Sequence, residues 1–201
     1  MIFHIESPSP DELDTQLSEA ELVAAACRLS GHRFHTLSVL DRADLQKALK
    51  YIFMWEAPEK SKPQFSLHFS GHANREGIQI GASFVKWDGL AGSLRRAMKD
   101  HDEISPYMVF FSSCGMGRPD FSTFSKLPYP PIYIFAFENK VDWADAAHAS
   151  SLLYRWLPEI RVDDRKRVQG VIERVRNLDF GKLTYFRHDE TTKSYRCYPK
   201  Q

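Results

Sequence analysis

Two short segments constrain this chain more than any other feature. Phe65–Ala73 (Phe-Ser-Leu-His-Phe-Ser-Gly-His-Ala) and Tyr107–Gly117 (Tyr-Met-Val-Phe-Phe-Ser-Ser-Cys-Gly-Met-Gly) each begin as an aromatic and aliphatic run and then break into small residues. A short apolar run bounded by such a break reads as a buried strand. Strands hydrophobic on both faces belong to parallel sheets covered by helices on each side. Parallel neighbours bring their breaks to the same carboxyl edge, where ligands and catalytic groups gather in open α/β sheets. Each break here carries one reactive side chain, His72 in the first and Cys114 in the second. Together they are the types needed for a nucleophile and its base.

The flanking sequence supplies the rest of such a sheet. Ile2–Glu6 reads as a strand, and Ser9-Pro10-Asp11-Glu12 as a capping box opening a helix. A second such signal, Ser18-Glu19-Ala20-Glu21, makes Pro10–Leu29 one helix or two abutting ones, stopped at Gly31, with Leu22, Val23, Ala26 and Leu29 on one face. Cys27 lies within it as a buried small hydrophobe. Arg33–Leu40 is a second strand, and Asp41–Trp55 a helix turning Leu45, Leu49, Ile52 and Phe53 inward. Pro58 and Pro63 bracket a charged linker, and Ile78-Gln79-Ile80 belongs to a short hairpin. Trp87, Leu90, Leu94, Ala97 and Met98 share a helical face. Gly115–Pro131 carries four prolines and is too long for a simple turn, the kind of loop that is functional or mobile. Ile132–Phe137 is a further buried strand, and Asp142 caps a helix through Leu157 that turns Trp143, Ala147, Ser150, Tyr154 and Leu157 to one side. Asp164–Leu178 is a helix with an apolar stripe of Val168, Val171, Ile172 and Val175, and Lys182–Arg187 with Ser194–Tyr198 closes the chain as a hairpin.

Composition narrows the function classes. With 201 residues the chain suits a single domain, residues 159–201 forming a helical and hairpin extension. The 27 basic residues against 26 acidic ones leave no general field for a polyanion, so nucleic acid is not an expected partner. The basic run from Arg161 to Val168 reads as a solvated helix face. No stretch has the length of a membrane span, and the first residues lack the pattern of a secretory leader. Three cysteines are too few, and odd in number, for a disulfide framework, and fit a reducing, cytoplasmic setting.

The two segments also resemble a known family. Phe69-Ser70-Gly71-His72-Ala73 resembles the apolar-Ser-Gly-His-Gly motif of caspase-like cysteine proteases, and Phe111-Ser112-Ser113-Cys114-Gly115-Met116-Gly117 resembles their apolar-Ser-Ala-Cys-x-x-Gly motif. The histidine precedes the cysteine by 42 residues, comparable with the ~50 of caspases. Phe135-Ala-Phe-Glu-Asn-Lys-Val-Asp-Trp-Ala-Asp-Ala-Ala, followed by Leu153-Tyr154, is similar to the Trp-Pro-Val-x-Asp-x-Ala…Phe-Tyr stretch of the bacterial CHAT branch, which also contains separase. Ala73 departs from the family's glycine after the histidine.

The resemblance implies a caspase-hemoglobinase-like three-layer α/β sandwich with a mainly parallel six-stranded sheet and helices on both faces. It implies a cysteine endopeptidase that needs no cofactor, with Cys114 as nucleophile and His72 as base. The backbone N–H groups of Ala73 and Cys114 would form the oxyanion hole. The specificity wall would lie at Phe137–Trp143, where Glu138 or Asp142 would receive a basic side chain and Trp143 would suit an apolar one. It further implies a protein substrate, silence until a regulatory chain or self-association triggers it, and a bacterial defence or cell-death role. Asp142 has a plainer reading as a helix cap. A catalytically silent α/β domain that binds a partner through the same edge is the reading from another class. His68 and His72 have the four-residue spacing of helical zinc ligands, but on a strand they stand ~13 Å apart, so no metal site is expected of them.

Overall fold

Parallel pairing dominates the sheet that the apolar runs build. The computed structural model of the protein describes residues 1–15, 18–56, 65–99, 101, 104–113, 115–156 and 164–199. Along the chain run β1 (Ile2–Ser7), α1 (Pro10–Thr15), α2 (Ala20–Leu29), β2 (Phe34–Ser38), α3 (Arg42–Glu56), β3 (Phe65–Gly71), β4 (Gly77–Ile80) and β5 (Ser83–Lys86). They are followed by α4 (Trp87–Met98), β6 (Pro106–Ser113), β7 (Tyr133–Phe137), α5 (Trp143–Trp156), α6 (Arg165–Asn177), β8 (Leu183–Asp189) and β9 (Ser194–Tyr198). The main sheet has the order β2-β1-β3-β6-β7-β8-β9, and β4 and β5 form a separate hairpin. The first five of these strands are mutually parallel, whereas β8 pairs antiparallel with both β7 and β9.

The sheet is therefore mainly parallel, with seven strands rather than six. The closing hairpin joins it because β7 is buried at every position and needs an ordered neighbour on its outer side. Side chains alternate between two cores. Phe3, Ile5, Leu67, Phe69, Val109 and Phe111 meet α3 and α4 on one face. Met108, Phe110, Phe135 and Phe137 meet α2, α5 and α6 on the other. Leu45, Leu49, Ile52 and Phe53 are buried on α3 as their spacing requires, and so are Val168, Val171, Ile172 and Val175 on α6. On α5, Ala147, Ser150 and Tyr154 are buried, while Trp143 is only partly covered. Leu157, like the linker between Pro58 and Pro63 and the acidic and basic residues from Arg161 to Asp163, lies outside the described residues.

Two local expectations change. The N-terminal helical stretch takes the two-helix form, but α2 buries Val23 and Cys27, one turn apart, while Leu22 and Leu29 face outward. The span after β6 holds a short 3-10 turn at Phe124–Lys126 and anchors Met116, Phe121, Phe124 and Leu127 in the core. Phe121 stacks on Phe111 with ring centroids 5.7 Å apart and meets the edge of Phe186 at 5.0 Å. Pro119 lies between the first two anchors and Pro128, Pro130 and Pro131 follow the last, so the segment covers the α4 side of the sheet as a packed element.

Candidate active site

The two motif strands are direct neighbours in register. β3 pairs with β6 from Leu67 opposite Val109 to Gly71 opposite Ser113, so both strands end at the same level of the carboxyl edge. Gly71 closes β3 with φ +154°, and a Cβ there would stand 3.0 Å from the carbonyl oxygen of Ser7. The glycine thus permits β1 and β3 to close tightly just before His72.

His72 follows with a half-exposed ring. Its Nε2 lies 2.9 Å from Oε1 of Glu12, whose side chain is 7% exposed. The same oxygen accepts the indole N–H of Trp143 at 2.7 Å, and Oε2 accepts the backbone N–H of Ser9 at 2.7 Å. Burial opposes ionisation of Glu12, but the N–H groups of Ser9 and Trp143 and the adjacent imidazole outweigh it, holding the carboxyl below its ordinary range. A buried anion, clamped by two N–H donors, therefore fixes one side of the histidine ring. The capping box predicted at Ser9–Glu12 is present, since Glu12 N–H also donates to Ser9 Oγ. Its second role at His72 was invisible in the sequence, because nothing in a capping box points to a residue sixty positions away.

Ala73 forms an isolated antiparallel bridge with Ile78. Gln79 N–H donates to the His72 carbonyl at 2.7 Å, and Asn74 N–H donates to the Gly77 carbonyl at 2.9 Å. Ala73 thus sits at the non-hydrogen-bonded position, its own N–H turned away from the hairpin. Cys114 lies outside the described residues. Beyond it, Gly115 N–H donates to the Asn139 carbonyl at 3.0 Å and Gly117 N–H to the Glu138 carbonyl at 3.1 Å, lacing this edge to the turn after β7.

All three specificity candidates have partners within the chain. Glu138 Oε1 is 2.8 Å from Nε of Arg118. Asp142 caps α5, accepting Asp145 N–H at 2.8 Å, the plainer of its two readings. Trp143 holds Glu12 instead of standing free.

His68 and His72 part company, as strand geometry requires. His68 turns into the core beside His4 and Glu19, its Nε2 2.8 Å from Glu19 Oε1. His4 Nε2 is 3.6 Å from the same oxygen. Ser112 Oγ donates to Glu19 Oε2 at 2.7 Å, and Ser18 Oγ donates to Glu6 at 2.5 Å. A row of polar side chains thus fastens the α1–α2 segment to the sheet beneath His72. Burial opposes ionisation of Glu19, yet the imidazoles of His68 and His4 more than offset it and bring the carboxyl down to about 2. Burial likewise depresses His4, only partly countered by Glu19. Among the described residues these are the ones with donor atoms grouped closely enough for a metal ion. The sequence carried no sign of the cluster, since its members come from three elements.

No known protein family matches the chain by sequence, and no curated protein does. Solved structures do. The chain is similar to a secreted C11 cysteine protease from Bacteroides thetaiotaomicron in complex with an irreversible peptide inhibitor, at TM-score 0.57 and 9% identity, with 92% of this chain and 65% of that one covered. A second structure of a secreted C11 cysteine protease from that organism, iotapain, aligns at TM-score 0.51 and 9% identity over 96% of this chain and 66% of the other. The chain spans about two thirds of the length of both. The architecture is thus a caspase-like α/β fold.

Proposed function

We propose that the protein is a cysteine endopeptidase in which Cys114 is the nucleophile and His72 the base. The observation that carries this reading is the shared end of β3 and β6, Gly71 opposite Ser113, with His72 held by an ionised carboxylate at that edge. The likeness of fold to two solved cysteine-protease structures supports it.

The chemistry follows from the groups. His72 takes the thiol proton, and the thiolate sulfur attacks the scissile carbonyl. The N–H groups of Ala73 and Cys114 receive the oxyanion, a role that suits an Ala73 N–H unused by the hairpin. His72 then protonates the leaving amine, and the thioester is hydrolysed by water that gives its proton to His72. Glu12 keeps the imidazole oriented, as a third group does in related triads.

The residue before the scissile bond is read as basic or apolar, not acidic. The Arg118–Glu138 pair favours the apolar option, because a basic side chain would have to displace Arg118. A peptide substrate, cytoplasmic action, control by a partner chain or self-association, and a CHAT-type defence role complete the proposal by family resemblance. The two described cysteines are unpaired, as a reducing compartment allows. Among the described residues no helix is long and apolar enough to cross a membrane.

Iodoacetamide labelling across pH, with the three cysteines resolved by mass, tests the pair. Burial pushes Cys27 up to about 12 and raises Cys197, so both form slow internal references. Cys114 should label far faster than either below pH 7, and His72→Ala should abolish the advantage. Equal, slow labelling of all three cysteines would reject the catalytic reading in favour of a silent binding domain.

A further inference from the structure

The His4–Glu19–His68 cluster plays no part in the reaction above, yet its geometry is that of a ligand set. His4 on β1 and His68 on β3 are register partners on adjacent parallel strands, so their rings rise from one face with centroids 4.8 Å apart. Glu19, just ahead of α2, lowers its carboxylate between them. The two imidazoles are fully buried and Glu19 is 2% exposed. Phe34 stacks on His4 at 5.5 Å, and Phe110 and Tyr154 flank His68 at 4.8 and 5.7 Å, which walls the group off from water.

Well-aligned hydrogen bonds do not account for the arrangement, although both imidazoles lie close to the Glu19 carboxylate. Neither ring nitrogen of His4 or His68, nor Glu19 Oε1, takes part in a well-formed hydrogen bond. Even across the 2.8 Å between His68 Nε2 and Glu19 Oε1, the N–H direction misses the oxygen. Each buried polar atom left so costs ~1–3 kcal/mol. Donor atoms that approach closely without pointing at one another are what ligands around a common ion display. Bonds of ~2.05 Å in a tetrahedral site separate the ligands by ~3.3 Å. The observed 2.8 and 3.6 Å lie either side of that value, and the three donor atoms, which span up to 4.8 Å, would draw together on the ion. Ser112 supplies an outer contact, its hydroxyl fixing Oε2 so that Oε1 faces the imidazoles. The Tyr154 hydroxyl is a further buried oxygen without a hydrogen bond, on a ring packed against His68.

We propose that His4, Glu19 and His68 form an internal site for one divalent first-row transition ion, which staples the α1–α2 segment to strands β1 and β3. Two imidazoles and one carboxylate suit zinc, or iron and cobalt in the same oxidation state, and do not suit calcium or magnesium, which take oxygen ligands. The staple bears on the candidate active site through the chain itself, because α1 carries Glu12 and α2 follows Glu19. The assignment stands apart from the peptidase reading and holds whether or not Cys114 is a nucleophile.

The test uses the full chain, stripped with chelator and titrated with cobalt and, separately, zinc. One equivalent of cobalt should give the visible bands of a low-symmetry nitrogen and oxygen site. Zinc at ~100-fold over its dissociation constant should raise the melting temperature by roughly 5–10 °C. Glu19→Gln, which retains an acceptor for Ser112, and His4→Gln should lose both effects, while His72→Ala and Cys114→Ala keep them. Absence of the bands and of the zinc shift in the unaltered chain would overturn the site. So would their survival in Glu19→Gln, or their loss in His72→Ala. Should the cluster variants fail to fold, the unaltered chain still decides, because an intense near-ultraviolet thiolate-to-cobalt band would put the ion on cysteine and refute the proposal.

Discussion

Replacing Glu12 with glutamine is the sharpest perturbation of the site, because shape is kept and only acceptor capacity falls. Two N–H donors converge on the carboxylate, Ser9 N–H on Oε2 and Trp143 Nε1–H on Oε1, and the His72 ring stands 2.9 Å from Oε1. Glutamine offers one oxygen, so in either amide orientation at least one N–H confronts an NH2 group. Losing a largely buried, charge-assisted hydrogen bond costs ~1.5–3 kcal/mol. The His72 share is small, since that ring is half-exposed and such pairs contribute ~0–1 kcal/mol. A net destabilisation of about 2 kcal/mol lowers the melting temperature by about 4–8 °C in a chain of this size. The carboxyl of Glu12 is held below its ordinary range, so its stabilisation is complete above the unfolded value and is lost as pH falls through the folded one. Calorimetry should therefore find the gap between the two proteins at pH 7 and see it close in acid, below 4.5. A difference under ~1 °C at neutral pH, or a gap unchanged at pH 3, would refute the clamp.

The buried cluster predicts a two-stage acid response. His4 is depressed in the folded chain, so protons bind the unfolded state first as pH drops below 6.5. Glu19 stands at about 2 against its ordinary 4.5, so its contribution drains away between those values. Urea midpoints measured in metal-free buffer should fall gently below pH 6.5 and steeply below 4.5, and midpoints flat down to pH 4 would contradict this linkage of the buried ion pair to stability. At Gly81, φ is +54° and a Cβ would land on the backbone carbonyl of Leu40, while the N–H donates to Ser7 Oγ at 2.7 Å. Gly81→Ala should thus cost more than the ~1–2 kcal/mol of left-handed strain alone, and a melting temperature within ~2 °C of the parent would argue against the close approach.

What the sequence disclosed follows the range of the forces involved. The apolar runs at Phe65 and Tyr107, the stripe of α4 and the caps at Ser9 and Asp142 are local patterns, and each is found where its period put it. The missing seventh strand was a matter of pairing: the closing hairpin was legible, its docking beside β7 was not. On α2 the apolar residues run nearly all round, so spacing alone did not choose Val23 and Cys27 over Leu22 and Leu29. The Glu12–Trp143 and Glu19–His68 contacts join residues 131 and 49 positions apart. They are fixed by tertiary packing, and no periodicity encodes them.

The clamp on His72 has a consequence for the life of the chain before it is complete. Its carboxylate comes from residue 12, its histidine from residue 72 and its indole from residue 143. At ~5–20 residues per second of synthesis, roughly 7–26 s separate the appearance of the first part from the last. A nascent chain that already exposes the His72 and Cys114 segments therefore lacks the donor that steadies the carboxylate. The ribosome's own timetable keeps the imidazole loosely held until α5 has docked.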